Sequence, residues 1–291
     1  MKASLLCLML VLGSHVVHAQ AWTPAAKTLN VDGEYQLGYS TETAGVAATV
    51  IHHLIIPSVE YGITDSLAVS ASLPFMAVKA DGGTPHGSWD DAGYHGTATD
   101  ARVTVRYMIP LGVVAITPQI GASTPVRDYE VLGNAAAGRG LKAAYAGINF
   151  GADLDEWAPR TTFHVTYEFA LVERYTGAGP EGEDIDQNFS LVTAQIGHRP
   201  IDKMQIHLGI DYHRYHDGIT FEQFGTMEIT MLEQKNHDPI LLERSLLAGG
   251  GISYDLGEHA SIYATARFVV KSENTHNGSL AALGASWDFD L

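Results

Sequence analysis

Polar and apolar residues alternate with a period of two along most of this chain, the mark of strands with one wet and one dry face. In the run 29–42, Leu29, Val31, Tyr35, Leu37 and Tyr39 share one side, while Asn30, Asp32, Glu34, Gln36 and Ser40 share the other. Further on, Asp100, Arg102, Thr104 and Arg106 alternate with Ala101, Val103, Val105, Tyr107 and Ile109. Phe163, Val165, Tyr167, Phe169 and Leu171 alternate with His164, Thr166 and Glu168, and Met204, Ile206, Leu208, Ile210 and Tyr212 with Gln205, His207, Asp211 and His213. The last run sets Leu283, Ala285, Trp287, Phe289 and Leu291 against Gly284, Ser286, Asp288 and Asp290. The other expected strands flank the turn 62–66, fill 113–126 and 141–154, join through 199–203 and meet at 255–259, with the last starting near 279. The segment 219–232 reads as a further strand, a loop element or a short helix.

Periodicity of this kind fits a soluble sandwich as well as a membrane barrel. An Arg facing lipid at the bilayer midplane costs about 2–4 kcal/mol, so charged every-second positions must face water in either fold. Three features favour the membrane. The amino-terminal stretch has Lys2 ahead of the apolar run Leu5–Leu12 and then Val17-His18-Ala19, the layout of a cleavable export signal over 1–19, with Ala19-Gln20-Ala21 a close alternative site. The closing alternation with its apolar last residue looks like the carboxy-terminal assembly signal of bacterial outer-membrane barrels, which implies the barrel-assembly machinery as a partner. The connections 62–66, 110–112, 155–160, 199–203 and 255–259 are short, whereas 80–97, 127–140, 176–187 and 217–239 are long, the periplasmic-turn and outer-loop asymmetry of such barrels. The expected fold is all-β, a transmembrane antiparallel up-and-down β-barrel of about twelve strands, with residues 20–291 forming one domain in the bacterial outer membrane. Outer-membrane lipid and lipopolysaccharide are then its surroundings.

Composition narrows the function. Cys7, the one cysteine, sits inside the expected leader, so the exported chain has no disulfide or thiol chemistry. A formal charge of −16 argues against nucleic acid as a partner and biases a pore toward cations or neutral solutes. The mean hydropathy of +0.02 is what half-wet, half-dry strands average to.

Particular residues carry a resemblance. Tyr61-Gly62-Ile63-Thr64-Asp65-Ser66-Leu67, Ser72-Leu73-Pro74-Phe75, Asp100-Ala101-Arg102 and Arg106-Tyr107 are similar to the barrel family associated with the phenol meta-cleavage pathway, which also includes the secretion pore for functional amyloid. Thr124-Pro125-Val126-Arg127, with Gly133 and Gly138 ahead of Leu141, fits its middle portion. The resemblance covers 30–291 and rests on turn and strand signatures. It implies an outer-membrane transporter for small molecules, aromatic or hydrophobic ones among them, working by diffusion with no covalent step or cofactor. The amyloid exporters carry a long helical extension ahead of the barrel, and this chain passes almost directly from leader to first strand.

The candidate lumen-lining residues are Asp32, Glu34, Asp100, Arg102, Arg106, His164, Glu168, His207, Asp211, Glu243, Arg267 and Lys271, with Asp288 and Asp290 beside them. Two readings stay open: rows of opposed charge that select a solute, or ion pairs that fill and brace the wall. Loops 80–97 and 127–140 are the expected guards of the mouth. His207, Asp211 and His213 share a face near His216 and Asp217, and His86, Asp90, Asp91 and His95 cluster in a loop; with 14 histidines, chance clustering is expected and no metal site is assigned. The acidic, lysine-free Gly177–Asp184 stretch reads as an exposed loop and not a phosphate cradle. Two other function classes stand behind the channel: a plugged barrel for structure, adhesion or polypeptide export, and a lipid hydrolase. The second needs a Ser and a His together near the outer leaflet, and Ser190 and His207 fall at opposite ends of one expected hairpin.

Overall fold

The computed structural model describes residues 21–40, 48–82, 87–176, 184–220, 241–274 and 278–291. The expected leader 1–19, His86, 177–183 and all but the first two residues of 219–232 lie outside the described residues.

Fifteen strand segments follow one another: β1 (Thr28–Ser40), β2 (Ala48–Gly62), β3 (Leu67–Ser72), β4 (Phe75–Gly82), β5 (His95–Ala98), β6 (Asp100–Tyr107), β7 (Ile109–Leu111), β8 (Val114–Pro125), β9 (Ala143–Asp153), β10 (Thr161–Val172), β11 (Phe189–Ile201), β12 (Met204–Tyr215), β13 (Arg244–Asp255), β14 (Ala260–Glu273) and β15 (Gly278–Asp290). They make twelve staves, because two staves are interrupted. β3 and β4 are one stave broken at Leu73-Pro74, and both pair with β2. Proline has no N–H to give a ladder, which is where such a break belongs. β5, β6 and β7 make the next stave, broken at Thr99 and Met108. Thr99 N donates to Pro74 O across the first break (3.0 Å), and Met108 N donates to Ser66 O across the second (2.7 Å).

Each ladder is antiparallel, and the ring closes. β1 pairs with β2 on one side and with β15 on the other, from Thr28↔Asp290 to Ser40↔Gly278. Lipid offers backbone groups no hydrogen bonds, so a closed ring is the way a sheet can cross it. One stretch of wall departs from this rule among the described residues. β5 has a ladder to β4 alone, and the last bond joining its stave to β8 runs from Val126 N to Thr99 O (3.2 Å).

The two faces are what the alternation demands. Leu208 (65% exposed), Ile120 (64%) and Leu283 (59%) stand on the outside among dozens of apolar neighbours, an area that a soluble protein would bury and that lipid covers here. Tyr35, Tyr107, Tyr167, Trp287 and Phe289 share that outer face. Inside, Glu34, Gln36, Arg106, Glu168, His207 and Arg267 are buried. The interior also has an apolar side, where Val50, Leu54, Ile56, Met76, Val78 and Ala80 of β2 and β4 pack against Ala135 and Ala137, with Trp89 and Tyr129 beside them. The connection after β8 is therefore no solvent loop: it folds into the ring.

A bulge overturns one expectation. Leu247 faces Val269 and Leu246 faces Lys271, so Val270 is an extra residue in β14. An inserted residue reverses the side-chain alternation beyond it. Lys271, expected in the lumen, instead stands at the loop end with 71% of its side chain exposed, paired with Glu273 at 2.8 Å.

Candidate functional site

The ring encloses a cavity of about 1420 Å³ reached by residues from both ends of the barrel. Asp32, Asp100, Arg102, Arg106, His164, Glu168, Asp211, Glu243 and Arg267 line it, as do Asp288 and Asp290. Glu34 and His207 point inward but are buried in the wall. His207 fits because Gly251 lies opposite: a Cβ there would stand 2.6 Å from the imidazole.

Most of the inward charges are paired. Arg102 meets Glu168 at 2.5 Å, Arg106 meets Glu60 at 2.5 Å and Arg267 meets Asp211 at 2.9 Å. A polar ladder extends the first pair across the wall. Gln119 Nε2 donates to Glu168 (2.8 Å), Asn149 Nδ2 donates to Gln119 Oε1 (3.0 Å), and Thr166 Oγ1 donates to Asn149 Oδ1 (2.7 Å). The Arg102 guanidinium lies 4.2 Å over the Tyr145 ring. Across the cavity Tyr263 donates its hydroxyl to Glu34 (2.9 Å) and stands 3.3 Å from Asp32. The pairs brace the wall, yet Asp32, Asp100, Asp288 and Asp290 add acid to the lining beyond them.

Two inserted segments narrow the cavity. At the short-turn end, residues 21–27 fold back into the mouth. Ala21 O accepts from Thr117 Oγ1 (2.5 Å), Trp22 O accepts from Arg106 (3.5 Å), and the Trp22 ring meets His164 edge-on at 5.3 Å. The side chain fits because residue 151 is glycine: a Cβ there would lie 2.4 Å from the indole and 2.5 Å from Ala21. The first turn holds the segment from outside, with Asp65 accepting from Ala26 N (2.9 Å) and Gly62 O from Lys27 N (2.7 Å).

At the loop end the connection 126–142 crosses the interior. Asp90 accepts from Gly87 N (3.2 Å), Asn134 N (3.1 Å) and Ala135 N (2.9 Å), tying two loops together. Glu130 accepts from the Ser88 amide (3.0 Å) and hydroxyl and from Leu132 N (3.0 Å). Tyr129 donates to Asp100 (2.6 Å) and accepts from Gly140 N (3.0 Å). Burial, and then the Asp100 carboxylate, push the Tyr129 phenol well above its ordinary range, so it stays a donor at every working pH. Arg139 reaches the far wall, 3.4 Å from Glu243 and 3.8 Å above the Tyr215 ring.

The expected His/Asp clusters divide. Asp211 is committed to Arg267, and His213 packs on Tyr215 (4.7 Å) and Phe189 (5.1 Å). Asp91 and His95 pair at 2.8 Å, while Asp90 turns inward to the other loop. A different pair was hidden in the sequence. Ser190 Oγ lies 2.7 Å from His216 Nε2 on the outer face at the loop end, with Tyr167 Oη 3.3 Å from the same Ser oxygen. Ser190 opens β11 and His216 follows β12, so the hairpin returns one to the other; strand parity was the available signal, and His207, inward on the same hairpin, was the wrong partner.

These features, a closed antiparallel ring with an apolar outside and a wet inside, decide the architecture. The chain is an outer-membrane-type β-barrel. An outer-membrane channel from Pseudomonas putida F1 has a TM-score of 0.68 to it at 9% identity, over 94% of this chain and 100% of that one. The NanC porin has a TM-score of 0.52 at 11% identity, over 89% and 98% of the two chains. The translocator domain of the autotransporter NalP from Neisseria meningitidis gives 0.50 at 10% identity, over 92% and 90%. At such identities the likeness speaks for the fold. No protein-family model and no curated protein matches the chain.

Proposed function

We propose that this barrel is a channel of the bacterial outer membrane that passes small solutes down their gradients, without a cofactor or covalent step. The observation that carries the reading is the cavity of about 1420 Å³ within the ring, narrowed by two separately anchored segments and not filled by wall side chains alone. The excess acid on its lining favours cationic and neutral solutes over anions. Trp22, Tyr145, Phe189, Tyr215 and Tyr263 supply aromatic surface along the same lining, which suits aromatic or hydrophobic solutes as the family resemblance implies. The unladdered edge of β5 gives such a solute a second way out, sideways between staves. On this reading residues 1–19 are removed on export, the last strand is read by the assembly machinery, and the apolar outside sits in lipid and lipopolysaccharide.

Single-channel recording of the refolded mature protein in a planar bilayer tests it. Discrete current steps with a reversal potential favouring cations in a salt gradient are expected. Silence from protein verified as folded overturns the open channel and moves a plugged structural or export barrel ahead.

The Ser190–His216 pair favours one second reading, acyl transfer from an outer-leaflet lipid. Desolvation, then the Arg214 charge, hold His216 below the usual imidazole range, which favours the neutral ring that can take the serine proton. Among the described residues no side chain accepts from its other ring nitrogen, so a third member of a triad is not found among them. Release of fatty acid from phospholipid vesicles by the wild type and not by Ser190→Ala supports this reading; equal release, or none from either, removes it.

A further inference from the structure

The bulge in β14 does more than displace Lys271 from the lumen. It places that lysine on the outer face at the loop end, on the stave next to Arg244, and Arg244 lies directly opposite Arg214 in the ladder of β12 with β13. Like charges facing each other across a ladder repel, and a sheet ordinarily avoids the arrangement. One described carboxylate serves the group: Glu273 reaches Arg244 at 3.6 Å and Lys271 at 2.8 Å. Arg214 is exposed and has no ion pair among the described residues, while Arg244 Nε is buried with no hydrogen-bond partner. Among the described residues three cations share one acid here, in a chain whose formal charge is −16.

The surroundings say what would complete the group. Tyr212 and Leu246, level with Lys271, and Phe268 below them continue the same outer face, so the cations border wall that contacts acyl chains. A ligand that satisfies both levels is anionic at its head and apolar below. Guanidinium groups bind phosphate in paired hydrogen bonds, and the spare Arg244 Nε–H and the whole Arg214 fork are donors of that kind. We propose that Arg214, Arg244 and Lys271 form a binding site for the phosphate of a phosphorylated glycolipid of the outer leaflet, with the acyl chains lying along Tyr212 and Phe268. The inference is independent of whether the barrel conducts.

The test uses the full mature protein, refolded and delipidated in detergent, with bisphosphorylated lipid A as the probe and native mass spectrometry as the readout. Wild-type protein should retain lipid A, and the triple variant R214Q/R244Q/K271Q should bind it about tenfold or more weakly, as expected for lost charge-assisted bonds. Dephosphorylated lipid A should bind the wild type as weakly as lipid A binds the variant. The double variant R214K/R244K should keep part of the affinity, and the heat-dependent gel shift of a folded barrel confirms that each variant is intact. Equal retention by wild type and triple variant, or equal binding of phosphorylated and dephosphorylated lipid, overturns the site. Displacement of lipid A by millimolar inorganic phosphate would also overturn it, by showing an anion patch with no preference for lipid.

Discussion

The two mouths of this barrel are narrowed by different chemistry. At the short-turn end the plug is held largely by its own backbone: Ala21 O, Trp22 O, Ala26 N and Lys27 N make the bonds, and a glycine supplies the space. At the loop end the plug is held by carboxylates, with Asp90, Glu130, Asp100 and Glu243 each tying loop to loop or loop to wall. Backbone bonds survive most substitutions in the inserted segment itself, so the first narrowing depends on the wall: on Thr117, Arg106 and Asp65 as partners and on the volume opposite. The second depends on a few side chains, each removable by one mutation.

The largest effect should follow from Asp90→Ala. It strips one acceptor from amides of Gly87, Asn134 and Ala135, and a buried donor left unsatisfied costs about 1–3 kcal/mol. The 126–142 connection should leave the lumen, and single-channel conductance should rise severalfold, on the order of what removing a constriction gives. Unchanged conductance with unchanged protease resistance of the loop would mean that the apolar packing of Ala135 and Ala137 holds the plug alone.

Gly151→Leu should open the other mouth. The new side chain occupies the place of Trp22 and Ala21, so Trp22 becomes accessible to a soluble fluorescence quencher. The background is read from a Trp22→Phe protein. Conductance should rise less than for Asp90→Ala, because the loop plug remains. Loss of folding by Gly151→Leu would be separated from displacement by testing Gly151→Ala, which keeps the crowding and adds little bulk.

Arg102→Gln probes the wall between the mouths. It leaves Glu168 with Gln119 as its side-chain donor among the described residues and takes one positive charge from the lining. Breaking a buried pair is expected to cost about 3–5 kcal/mol, reduced here by the water the lumen admits. Cation preference in a salt gradient should increase while the fold persists; a preference that does not move would mean that Arg102 lies off the conducting path.

The smallest effect is a pH dependence at the loop end. A hydrogen bond from His95, then one from the Gly93 amide, hold the Asp91 carboxyl below its ordinary value. A depressed acid stabilises the folded loop above its unfolded pKa and loses that contribution as pH falls through the folded one. Exchange of the Gly93 amide should therefore speed up as the medium is acidified below pH 4, relative to the intrinsic rate, and an Asp91→Asn protein should show no such change.

The staves were legible in the sequence because period-two alternation is a local property, and lipid on one side with water on the other punishes any lapse in it. Even the breaks had a sign in Pro74. The length of 80–97 and 127–140 marked them as guards of the mouth, but how they anchor, and the inward fold of 21–27, were not legible. Ala135, Ala136 and Ala137 have no alternation, and nothing near them in sequence reveals that Val50 and Met76 lie opposite. Lys271 was misplaced for a related reason: one inserted residue, Val270, changes parity with no mark in the pattern. Ser190 and His216 stand 26 residues apart, and only the hairpin register brings them together.

The ladder of β1 with β15 has a consequence for how the molecule comes to exist. Its partners lie at opposite ends of the chain, Thr28 against Asp290, so this seam cannot be sewn before all the other staves have been laid down. A slip of one residue there would turn Asp32 and Glu34 toward lipid and Tyr35 and Leu37 toward water. The alternation of acid and apolar residues along β1 thus acts as a final proofreading step, rejecting a ring that meets out of register before it is sealed.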